Sequence, residues 1–114
     1  MNAEKVIVVR VYLTEASGML KSLLNYLHDE SKVHGVTVFR GITGFGKSGR
    51  YHSSTLMDMS LDLPVVIEFF ESPHRAAAII EHLNTTVEPG HIVYWEARMN
   101  ANTTSDRENG DIAR

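Results

Sequence analysis

Cysteine is missing from this chain of 114 residues, which excludes disulfides, thiol nucleophiles and cysteine-built zinc sites. No apolar run approaches the ~18–20 residues of a membrane-spanning helix, and no signal-peptide core or cleavage site is visible near the start. A basic surplus is absent too. Lys+Arg number 11 against 14 Asp+Glu, for a net charge of −3, whereas a dedicated nucleic-acid binder carries excess positive charge. The six histidines include no i, i+4 pair, and no Asp/Glu cluster has ligand spacing, so no metal site is expected. These absences predict a soluble, cytoplasmic protein with no nucleic-acid partner and no membrane insertion.

What is present alternates between strands and helices. Residues 4–13 (EKVIVVRVYL) are β-branched and apolar, with Ile7, Val9, Val11 and Leu13 on one face and Arg10 and Tyr12 on the other. Ser17 is placed to cap a helix carrying Leu20, Leu23, Leu24 and Leu27, which ends near 32–35 with Gly35 as its stop. A second strand is predicted over 36–42 and a third over 64–70. Ser72 followed by Pro73 then opens a helix bearing Ala76, Ile79, Ile80, Leu83 and Val87. It stops at 88–90, and 91–99 reads as the last strand. Residues 1–100 form one domain on this reading, and 101–114 is a polar tail, disordered unless something binds it.

The order β-α-β-β-α-β gives an α+β, ferredoxin-like sandwich with a long loop between strands two and three. Three strands are apolar on both faces: Val6 and Val8 stand against Ile7 and Val9, Val66 and Phe70 against Val65, Ile67 and Phe69, and Val93 and Trp95 against Ile92 and Tyr94. Two helices cover one side of a sheet, so the other side is expected to meet further copies of the chain.

The segment 43–61 is longer than the ~12–15 residues that unstructured connections usually reach, and function is the better reason for its length. Four glycines (Gly41, Gly44, Gly46, Gly49) are interleaved there with Arg40, Lys47 and Arg50, a composition suited to holding an anion on backbone N–H groups and cations. GITGFGKS at 41–48 fits the phosphate-loop pattern literally. That pattern needs a helix immediately after it, and Gly49, Arg50, Tyr51 and His52 start a helix poorly. Ser48, Arg50, Tyr51 and His52 are further loop candidates. Glu68, mid-strand among apolar residues, reads as an outward position or as a paired one. Other proteins of this architecture fit less well. An acylphosphatase would need an arginine in the TEASG segment at 14–18, and an RNA-recognition module would need more exposed aromatics than Phe39 and Phe45. A metal-tolerance-type trimer stays open on architecture.

With these segments in place the chain resembles the PII-like signalling proteins, and most closely the family called domain of unknown function 190. The resemblance rests on VRVYLTE (9–15), GVTVFRGITGFGKSGRYHSS (35–54) and SLDLPVVIE (60–68). It implies a homotrimer with inward-facing sheets and an adenine nucleotide, not tightly bound, in the cleft between subunits. By position, Arg40, Gly44, Phe45, Gly46 and Lys47 would form the loop-base part of that site, Gly90 the turn before the last strand, and Arg98 a phosphate contact. Three departures qualify it. Ser48 replaces a glutamine, the EPGH turn at 88–91 lacks a lysine, and MNAN at 99–102 lacks a second arginine. Each charge-assisted contact is worth roughly 1.5–3 kcal/mol, so AMP or ADP is expected over ATP. Tyr51 does not match the nucleotidylated tyrosine of PII. The expected activity is that of a regulator that signals through its loop to a target protein, a transporter or an enzyme. It is not that of a catalyst, although weak nucleotide hydrolysis is the alternative.

Overall fold

A computed structural model describes residues 2–46, 51–53 and 62–101. Strand β1 is Asn2–Thr14, followed by a short turn at Glu15–Ser17 and helix α1, Leu20–Asn25, which continues as a π-helical stretch over Tyr26–Glu30. Then come β2 (Thr37–Arg40), β3 (Thr43–Phe45), β4 (Tyr51–Ser53), β5 (Pro64–Glu71), α2 (Pro73–Leu83) and β6 (Ile92–Ala101). The main sheet is antiparallel in the order β2-β5-β1-β6, while β3 and β4 make a separate two-stranded ribbon. This is the ferredoxin-like α+β arrangement that the element order predicts.

Register explains the core. Val9, Val11 and Leu13 stand opposite Phe69, Ile67 and Val65; all six are buried, and all but Val65 join one cluster with Leu23 of α1, Leu27 of the π-helical stretch and Ile79 and Leu83 of α2. The other face carries Arg10 and Tyr12 of β1, Val66 and Glu68 of β5, Phe39 of β2 and Val93 of β6. No described element covers it. Tyr12 is 40% exposed, Phe39 47%, Val93 46% and Trp95 42%. Edge strand β6 is open on its helix side as well, where Tyr94 is 57% exposed. Arg10 sits in the middle of the bare face. Its Nε donates to Glu68 Oε1 at 2.7 Å, and its guanidinium carbon lies 5.8 Å from the ring centres of both Phe39 and Trp95. Glu68 therefore faces outward and is paired. The hydrogen bond to Glu68, with a second to Tyr12, raises the Arg10 pKa, so the group is a cation at every physiological pH.

Several local expectations need correction. Ser17 does not head the first helix. Its hydroxyl accepts from the Met19 N–H at 3.3 Å, inside the turn closed by Gly18 at φ 73°, and Met19 precedes the first helical residue. Nor does Gly35 end that helix. The left-handed stop is Lys32, at φ 54°. Arg75 fixes it from α2, donating to the carbonyls of Ser31 (2.7 Å) and Lys32 (3.4 Å), and is itself oriented by the buried Glu71, at 2.9 Å from its Nε. Strand β2 is shorter than predicted, Thr37–Arg40, because the chain turns at Gly41 against Pro64, and 43–61 begins with paired backbone rather than open loop. Strand β6 reaches Ala101, which pairs with Asn2, and the tail beyond it lies outside the described residues. Among the described residues no helix is long and apolar enough to cross a membrane.

Candidate functional site

Three strand ends meet at one end of the sheet: the exits of β1 and β2 and the start of β5. Asp62, Leu63 and Pro64 bind them together. The Glu15 N–H donates to the Leu63 carbonyl at 3.0 Å, the Ala16 N–H to Asp62 Oδ1 at 2.8 Å, and the Gly41 N–H to the Pro64 carbonyl at 2.7 Å. Pro64 also explains why glycine stands at the exit of β2. A Cβ on Gly41 would lie 2.8 Å from Pro64 Cγ, and one on Gly44 would lie 3.2 Å from it. The chain bends over the proline ring at Gly41, which ends β2 at Arg40. It then enters the ribbon, where Thr43, Gly44 and Phe45 pair with Ser53, His52 and Tyr51. Phe45 is solvent-exposed, as is Ile42. Residue 41 is thus followed by a bend and a strand, not by a loop running into a helix, which removes the phosphate-loop reading of GITGFGKS over its described part.

Arg40 makes an ion pair through Nε with Glu15 Oε1, across the start of β5. Its side chain is 61% exposed, whereas that of Glu15 is 28% exposed. On the opposite edge of the same sheet end is the turn before β6. Pro89 and Gly90 occupy its corners, Gly90 at φ 91° with open space around it, and the His91 N–H closes it on the Glu88 carbonyl at 3.3 Å. His91 locks this turn to β1, accepting from the Tyr12 N–H at 2.8 Å and placing Nδ1 3.1 Å from the Tyr12 carbonyl.

The sequence-derived site residues therefore fall into three sets. Arg40, Gly44, Phe45 and Gly46 lie together at the root of the ribbon. Gly90 shares the same end of the sheet but sits on the far edge, three strand spacings or about 14 Å across. Arg98 pairs with Lys5 in β6, about 20 Å along the strand from Ile92 at ~3.3 Å per residue, and the chain does not bring it to the others. Lys47, Ser48 and Arg50 lie outside the described residues, and of Tyr51 and His52 only the backbone pairing is described. Glu15 and Pro64 join the site only in the structure, although both fall inside the motifs that carry the resemblance. Among the described residues no three His, Asp or Glu side chains are grouped to hold a metal ion.

Comparison with known proteins agrees with this architecture. Residues 6–99 match the family DUF190, described as Uncharacterized ACR. A UPF0166 protein of Aquifex aeolicus (strain VF5) is 30% identical over 95 residues, covering 83% of this chain and 97% of the relative. Among solved structures, CPII, a nitrogen regulatory PII-like protein from Thiomonas intermedia K12 bound to ADP, AMP and bicarbonate, superposes with a TM-score of 0.65. It is 15% identical and is matched over 91% of this chain and 94% of its own. The divalent ion tolerance protein CutA1 from Ehrlichia chaffeensis has a related fold, with a TM-score of 0.57 at 10% identity over 91% of each chain. The match across nearly the whole sheet and both helices makes this chain a member of the DUF190 family with a PII-like fold.

Proposed function

We propose that this protein is a PII-like regulator that binds an adenine nucleotide, AMP or ADP in preference to ATP, between subunits of a homotrimer. The observation that carries this reading is the division of the candidate site between two edges of one sheet. Arg40 and the glycine root of the ribbon stand on the β2 edge, and the Gly90 turn stands on the β6 edge. A nucleotide held by both, and by Arg98, needs more than one copy of the chain, and the bare apolar face supplies the surface on which copies would associate. CPII, whose fold is similar, was solved with ADP and AMP bound, and this supports the choice of ligand. Bound nucleotide at the ribbon root changes the relative stability of the states of the 43–61 excursion, which then engages a target protein. Such a shift is limited by the ligand's difference in affinity for those states. No catalytic step is assigned.

Calorimetric titration of the full chain with AMP, ADP and ATP tests the reading, with phosphate release followed in parallel. AMP and ADP are expected to bind at least as tightly as ATP, without turnover. Tenfold tighter binding of ATP than AMP overturns the preference, and silence with all three overturns the nucleotide reading.

A further inference from the structure

Among the described residues Arg40 is an exposed cation at the ribbon root, yet its Nε already faces a carboxylate of its own chain. We propose that Glu15 is an internal competitor at Arg40, its carboxylate occupying the guanidinium that a ligand phosphate would take, so that ligand binding exchanges one anion for another. The inference rests on the nucleotide reading above and concerns the regulation of the same site.

Both partners stand on backbone fixed to one segment. Glu15 and Ala16 donate to Leu63 and Asp62, and Gly41, the residue after Arg40, donates to Pro64. The pair is therefore presented by anchored main chain, and its geometry does not depend on two loose surface side chains finding each other. Glu15 is the sheltered member and Arg40 the exposed one, so an incoming anion approaches the guanidinium from its open side. A guanidinium offers five N–H donors in a planar fork and binds a phosphate bidentately. Glu15 holds the Nε, so a phosphate that binds the side-on edge containing Nε displaces the carboxylate, and its double charge favours that exchange. The exchange also reaches the fold. The Glu15–Arg40 pair bridges the exits of β1 and β2, so its opening removes one of the ties at the ribbon root while the Gly41–Pro64 bond stays in place.

A double-mutant cycle on the full chain, read by AMP calorimetry with a thermal melt of each variant, tests this. Glu15→Gln is expected to tighten AMP binding about two- to fivefold, the worth of an exposed ion pair. Arg40→Gln is expected to weaken it, and Glu15→Gln is expected to add nothing in the Arg40→Gln background. Glu15→Ser should act in the same direction if the Gln variant is unstable. The inference is overturned if the wild type binds AMP and both Glu15 variants bind it equally or more weakly. It is overturned as well if the gain survives undiminished without Arg40, which would make it a general effect of net charge. No binding by either the wild type or the Glu15 variants instead removes the nucleotide reading, and the competitor with it.

Discussion

Lys32 adopts a backbone conformation that L-residues avoid, at φ 54°, the only positive φ outside glycine among the described residues. Left-handed geometry costs a side-chain-bearing residue about 1 kcal/mol, and here two carbonyl contacts from Arg75 offset it. Lys32→Gly should therefore stabilise the fold by about 0.5–1 kcal/mol, seen as a melting temperature higher by roughly 2–6 °C. An unchanged or lower value would mean that the lysine side chain itself contributes to the turn. The position of this helix end was legible, because the leucine stripe runs out near 32–35. The residue that makes the turn was not. Glycine at 35 was the obvious stop, whereas the deciding contacts come from Arg75 and Glu71, some forty residues away in sequence. Glu15 was obscured for a similar reason, since nothing local pairs a glutamate after one strand with an arginine ending another.

At the level of elements, alternation was the dependable signal. It assigned Arg10 and Tyr12 to one face of β1 and Val9 and Val11 to the other, and burial follows that division. The ribbon was hidden because TGF and YHS are only three residues each and have no apolar face for a strand pattern to show. The glycine-rich composition suggests anion contact at Gly41, but its immediate role is to let the chain pass over Pro64. Gly41→Ala should cost about 1–3 kcal/mol through overpacking, measured by urea denaturation. Gly46→Ala, where a Cβ meets open space, should change stability by less than about 0.5 kcal/mol. Partial recovery of Gly41→Ala by Pro64→Ala would confirm the contact, and equal effects at Gly41 and Gly46 would refute it.

For the whole molecule, the bare sheet face is the feature with most at stake. Tyr12, Phe39, Val93 and Trp95 are too large and too close together to remain in water without a reason. Replacing Trp95 by glutamate puts a carboxylate in the apolar part of the face that holds Glu68 and removes one of the rings beside Arg10. Light scattering at micromolar concentration should report three copies for the wild type and a lower mass for Trp95→Glu, with unchanged far-ultraviolet circular dichroism. A monomeric wild type would leave the face without its proposed partner. The apolar character of both strand faces made this surface visible in advance and alternation put Arg10 on it, whereas the contacts that hold Arg10, from three other strands, emerged only from the structure. That register has one more consequence. Asn2 lies opposite Ala101 in neighbouring central and edge strands, so the path of the backbone almost closes into a ring. Joining those two residues by a few-residue linker in a chain without residue 1 and residues 102–114, and opening it at the ribbon instead, would preserve every pairing of the main sheet. The order in which the strands are synthesised is thus separable from the order in which they pack.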